Sequence, residues 1–121
     1  MRHKQSKRSF FTGRRSEMVT LLALQRLRRQ GIIIDFRKRD GSGVDFYLDL
    51  PDPPPSEMPL QTKSSFTGQW EHERRYAGIP CVVVSSEARK ACGTPRQEEF
   101  VKMIYEDIRA CIETFRRSAE S

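Results

Sequence analysis

Residues 43–65 read GVDFYLDL (43–50), PDPPPSEM (51–58) and PLQTKSS (59–65), and this stretch decides the fold. In the first segment Val44, Phe46, Leu48 and Leu50 alternate with Asp45, Tyr47 and Asp49, which predicts a half-buried strand. Pro51, Pro53, Pro54 and Pro55 stop that strand and stiffen a surface loop. The third segment predicts another strand, and on it Gln61 and Lys63 sit two apart, so both side chains share one sheet face. A carboxylate, an amide oxygen and an ammonium on neighbouring strands make little sense for stability alone. They suit a divalent metal and a phosphate.

Upstream, the period from Arg14 to about Gln30 is helical. Met18, Leu21, Leu22, Leu24 and Leu27 recur at steps of three and four, and Arg26, Arg28 and Arg29 load the last turn before Gly31. Ser16 is a candidate N-cap. Glu17 shares a stripe with Leu21, Leu24 and Arg28, which aims its carboxylate at the sheet; a first-turn Glu stabilised by the helix dipole is the other reading. GIIIDFRK (31–38) predicts a first strand, and the turn Arg39-Asp40-Gly41-Ser42-Gly43 predicts a hairpin into the second.

Downstream, QWEHERRYAG (69–78) is helical in outline and IPCVVVSS (79–86) is a buried strand. Glu87–Gly93 is expected to be a loop or short turn. Thr94 as N-cap and Pro95 then open a last helix running to Arg117, striped by Phe100, Met103, Ile104, Ile108, Cys111, Ile112 and Phe115. The order predicts an α/β fold, an αβββαβα sandwich with a mixed central sheet.

The chain has 121 residues, enough for one domain, here a basic arm (1–13) followed by a single folded unit (14–121). No apolar run approaches the ~18 residues of a membrane span, so no membrane association is expected. The basic N-terminus lacks the apolar stretch of a secretory signal, which predicts a cytoplasmic protein, nucleoid-associated in a prokaryote. Cys81, Cys92 and Cys111 are odd in number and lack CxxC spacing, as reduced thiols would. The formal charge is +6, and residues 1–15 hold Arg2, Lys4, Lys7, Arg8, Arg14 and Arg15 with no acid, so the remainder is balanced. Such an arm either tracks phosphates, releasing counterions, or acts as a solubilising tail.

Glu17, Asp45, Gln61 and Lys63, taken in this order of elements, resemble the PD-(D/E)xK nuclease superfamily, over roughly residues 14–86. The resemblance implies a restriction-endonuclease-like αβββαβ core, with a Glu on the first helix, an Asp on the second strand, and an acidic residue two before a Lys on the third. Glu17, Asp45 and Lys63 match. Gln61 stands where the pattern has an acid, although QxK variants occur in the superfamily, including the endonuclease subunit of a cut-and-paste transposase. The KSS at 63–65 is similar to that of archaeal Holliday-junction resolvases. By this resemblance, Mg²⁺ or Mn²⁺ would be held by Asp45, Gln61, Glu17 and the Thr62 backbone carbonyl. Lys63 would face the reacting water or the scissile phosphate. Arg8, Arg14, Arg15, Ser64, Ser65, Gln69, Arg74 and Arg75 would contact nucleic acid.

The implied function is metal-dependent endonucleolytic hydrolysis of DNA, on branched or recombining substrates, with RNA not separated from DNA. Cutting both strands calls for a homodimer or a partner subunit. Gln61 supplies an acceptor without charge, which leaves two carboxylates against a 2+ ion. Two further functions therefore stay open: a catalytically degenerate nucleic-acid-binding module of the same fold, and an interaction subunit of a larger assembly. Among the remaining residues, His72 is expected at the surface, Trp70 in packing and Asp35 toward solvent, and Cys92 has no evident base beside it.

Overall fold

The computed structural model describes residues 17–39 and 43–120. The basic arm and the turn residues 40–42 lie outside them. Helix α1 covers 17–29, followed by strands β1 (Asp35–Lys38), β2 (Phe46–Asp49) and β3 (Glu57–Lys63). Helix α2 (Phe66–Arg75), strand β4 (Cys81–Val83), and helices α3 (Ser86–Ala91) and α4 (Gln97–Glu120) complete the order. The four strands form one sheet in the order β1-β2-β3-β4. β1 and β3 both run antiparallel to β2, and β4 runs parallel to β3, so the sheet is mixed.

The period of two in β2 does what it predicts: Val44, Phe46, Leu48 and Leu50 are buried while Asp45, Tyr47 and Asp49 are only partly so. Register places Phe46 opposite Leu60 and Leu48 opposite both Phe36 and Met58. Onto this face pack Val19, Ala23, Leu24 and Leu27 of α1, with Phe100, Ile104, Ile108 and Ile112 of α4. Arg26 of α1 pairs with Glu98 of α4 at 2.6 Å, and the Tyr105 hydroxyl donates to the Gln30 side chain. The Pro-rich loop is tied to the same layer: Arg116 donates to the carbonyls of Pro51 and Pro53, each at 2.6 Å. Helix α2 lies against β3 and β4.

Several sequence expectations are corrected. GIIIDFRK is a strand only from Asp35, because the amides of Ile32 and Ile33 turn back to the Leu27 carbonyl and close α1 around Gly31 at φ 75°. The inner stripe of α1 centres on Val19 and Ala23, and Met18 is 47 % exposed. PLQTKSS ends as a strand at Lys63, since Ser65 caps a helix that starts three residues earlier than expected; its Oγ accepts from Gly68 N at 3.0 Å. Glu87–Gly93 is largely helical, as α3, with Ser85 Oγ accepting from Ala88 N. Thr94 and Pro95 form the turn into α4, whose first residue is Gln97. Met103 of the predicted apolar stripe is 53 % exposed.

Gly43 sits at φ 77°, and a Cβ there would lie 2.9 Å from Tyr76 Cδ2. Both the backbone angle and the ring behind it exclude a side chain. Gly43→Ala is expected to lower stability by roughly 1–3 kcal/mol, read as an earlier urea midpoint at unchanged slope.

Candidate functional site

The site is built where β3 changes partner. Its last pairing with β2 is Leu60 with Phe46, and its first with β4 is Gln61 with Cys81. Asp45 N still donates to Leu60 O at 2.8 Å. The next inward amide, that of Thr62, bonds to a side chain instead of a ladder carbonyl. Asp45 Oδ2 accepts from Thr62 N at 2.9 Å and from Thr62 Oγ1 at 2.7 Å. The carboxylate thus takes the place of a strand carbonyl at the point where β2 and β3 part. Two donors hold one oxygen, and Oδ1 carries no hydrogen bond among the described residues.

Gln61 and Lys63 flank that bond on β3. Gln61 is 9 % exposed and its backbone N–H donates to Pro80 O at 2.9 Å. Its side-chain Oε1 is buried with no partner among the described residues. An orphaned buried acceptor costs on the order of 1–3 kcal/mol, unless a donor or a cation meets it. Lys63 is half-buried, and no ion pair or hydrogen bond engages its ammonium among the described residues. Its stem lies against the start of α2, where a Cβ at Gly68 would come within 3.4 Å of Lys63 Cβ. Ser65 satisfies Gly68 N and Gln69 N, which leaves the first amides of α2, beside the Lys63 stem, without a partner among the described residues. The N-terminal end of the helix dipole therefore adds positive potential where Lys63 already supplies a charge.

The charges of Asp45 and Lys63 also meet at a third residue. Burial pushes the Cys81 thiol up to about 12; Lys63 opposes that rise, while Glu73, Cys111 and Asp45 add to it. Burial likewise raises Cys111 to about 11, helped by Asp107 and Glu73. Neither thiol is a nucleophile at neutral pH.

Glu17 is drawn elsewhere. Its Oε2 lies 2.8 Å from Lys38 Nζ at the end of β1, so reaching a metal would require that pair to open. Among the candidate contact residues, Ser65 is the α2 cap and Ser64 is exposed. Gln69 Nε2 donates to Cys81 O at 2.9 Å, which ties α2 to β4. Arg74 stacks 4.6 Å over the Trp70 ring and Arg75 lies 5.8 Å from that of Tyr76. Arg8, Arg14 and Arg15 lie outside the described residues.

No group of three or more His, Cys, Asp and Glu able to hold a metal occurs among the described residues. The donors present are instead one carboxylate, the Gln61 amide oxygen and the Thr62 carbonyl. All are hard oxygens, of the kind that Mg²⁺ and Mn²⁺ take. In kind the donor set fits; in charge it is poor.

Family models, curated proteins and solved structures all return no match. The residues alone must carry the reading.

The Thr62 hydroxyl and Lys38 went unread in the sequence, and His72 and Trp70 were misplaced by it. Thr62 fixes Asp45 through its hydroxyl, and no pattern in the sequence signals it. Lys38 engages Glu17, which only the hairpin geometry reveals. His72 is 3 % exposed, not a surface residue: its Nε2 bonds Ile79 O at 3.0 Å and its Nδ1 is buried without a partner among the described residues. Gln69, His72 and Tyr76 recur at steps of three and four, and that inner stripe was legible. Trp70, expected in packing, is 56 % exposed, because it lies off that stripe.

Proposed function

We propose that this chain is a metal-dependent endonuclease of the PD-(D/E)xK type that hydrolyses DNA phosphodiester bonds. One observation carries the reading: an Asp45 carboxylate pinned at the opening of the sheet by Thr62, the β3 neighbour of Lys63, whose ammonium has no partner among the described residues. The helix–three strands–helix–strand order supports it, since that is the order of the superfamily core.

Asp45 Oδ1, Gln61 Oε1 and the Thr62 carbonyl would hold the cation. When bound, a divalent cation neutralises charge on the phosphoryl oxygens and acidifies a coordinated water. Lys63 places its ammonium against the scissile phosphate or the attacking water, and the open amides of α2 favour the same anion. Thr62 holds the carboxylate in orientation through its amide and its hydroxyl. Cleavage of both strands calls for a second active site, from another copy or a partner subunit.

Calorimetry with Mn²⁺ tests the site. Affinity is expected to rank Gln61→Glu above wild type, and wild type above Asp45→Asn. The first adds the missing charge. Asp45→Asn keeps an acceptor for Thr62 N while removing charge, which makes it a cleaner probe than Asp45→Ala. Equal affinities for wild type and Asp45→Asn, or no binding at millimolar Mn²⁺, would remove the metal from the reading.

The Glu17–Lys38 pair and the neutral Gln61 favour a second reading, because they leave Asp45 as the one carboxylate of the four-residue set without an ion pair among the described residues. The chain would then bind nucleic acid without cutting it. Its signature is affinity that persists in EDTA and falls steeply with salt.

A further inference from the structure

β4 is the last strand of the sheet among the described residues, and no described strand pairs with its outer edge. Gln61 N bonds Pro80 O and Val84 N bonds Lys63 O, so alternation turns the N–H and C=O groups of Cys81 and Val83 away from β3. Gln69 occupies the Cys81 carbonyl. The amides of Cys81 and Val83 and the Val83 carbonyl have no hydrogen bond among the described residues.

The edge lies at the bottom of a trough between α2 and α4. Phe66 (78 % exposed) flanks it from α2, and Met103 (53 %) from α4. A groove of about 410 Å³ along Val82 and Val83 shares Cys81, Ala110 and Cys111 with a second of about 630 Å³ that runs past Ile79 and Phe115. The charged residues lining these grooves are Glu73, Glu87 and Asp107. Among the described residues no Lys or Arg lines either one, in a chain whose net charge is +6. None of the three carboxylates has an ion pair among the described residues. Burial and the neighbouring Glu106 raise the Asp107 carboxyl, as expected of an acid that lacks a cation.

We propose that the free edge of β4 takes up an extended segment of a partner protein, rich in both apolar residues and Lys or Arg, as a fifth strand. Backbone pairing would supply affinity, and the apolar and acidic walls would supply selectivity. A second copy of this chain fits poorly, since two β4 edges meeting about a two-fold axis would set Glu73, Glu87 and Asp107 against their own counterparts. The proposal stands apart from the nuclease reading, because Asp45 and Lys63 do not line the trough.

The test is fluorescence anisotropy on the full chain, with a dye-labelled valine–lysine peptide and its valine–glutamate counterpart. The basic peptide is expected to bind at least about tenfold more tightly, an excess that shrinks with salt. Glu73→Lys with Asp107→Lys should invert that preference, both sites being exposed. Val83→Pro removes an outward amide that no sheet bond uses and should weaken the basic peptide about tenfold or more. If a thermal melt shows Val83→Pro unfolded, the charge-reversed double variant decides alone. Equal binding of the two peptides, or none, overturns the proposal. So does a sedimentation dimer that the charge reversal strengthens, which would make a second copy the occupant. Binding that emerges only in a chain carrying R2Q, K4Q, K7Q and R8Q overturns it too, by assigning the edge to residues 1–13.

Discussion

Lys63→Ala is expected to lower metal-dependent DNA cleavage by on the order of 10²–10³-fold while leaving the melting temperature unchanged. The two halves of that expectation rest on different facts. The ammonium has no ion pair or hydrogen bond among the described residues, so its removal orphans nothing. The stem packs against the Gly68 turn, where a shortened side chain costs little. The Lys63 stem runs along the start of α2, whose first amides bond to no described residue, and in the proposed reading the ammonium meets the phosphate there. The measurement is cleavage of labelled branched, duplex and single-stranded DNA with Mg²⁺, Mn²⁺ or EDTA, beside a thermal melt of each protein. Unchanged cleavage would take Lys63 out of the chemistry. Absence of cleavage by wild type on every substrate would leave the binding-module reading in possession.

Leu48→Ala carries the largest expected cost in stability, about 2–5 kcal/mol. Leu48 is fully buried and lies in a central strand, opposite Phe36 on one side and Met58 on the other. Two neighbours fixed by backbone ladders cannot collapse into the space left behind, so the upper half of the range is expected. Against the 5–15 kcal/mol typical of a domain, that is a large share. Urea unfolding at unchanged slope would read it directly. A loss below about 1 kcal/mol would mean that the sheet face carries far less of the core than its burial indicates.

The candidate site was only partly legible in the sequence. Asp45 and Lys63 could be placed because alternation in GVDFYLDL and PLQTKSS assigns faces to side chains before any contact is known. The trade that holds Asp45 could not. It depends on β3 leaving β2 at Leu60 to join β4 at Gln61, and a strand's choice of partner is written nowhere in its own period. Glu17 shows the same limit. Its stripe on α1 points toward the sheet, but the hairpin brings Lys38 there first.

By itself the sequence determined the order of the elements other than α3, the buried face of β2, the long amphipathic α4 and the punctuation by Gly31 and the prolines. These are local consequences of period, backbone freedom and capping. Tertiary structure decided where GIIIDFRK stops being helix closure and becomes strand, that Glu87–Gly93 winds into α3, and that His72 is buried while Trp70 is not. It also left the edge of β4 with no described strand beside it, between acidic walls. Each of these turns on which surface another part of the chain covers, and coverage is a property of the packed whole that no local pattern encodes.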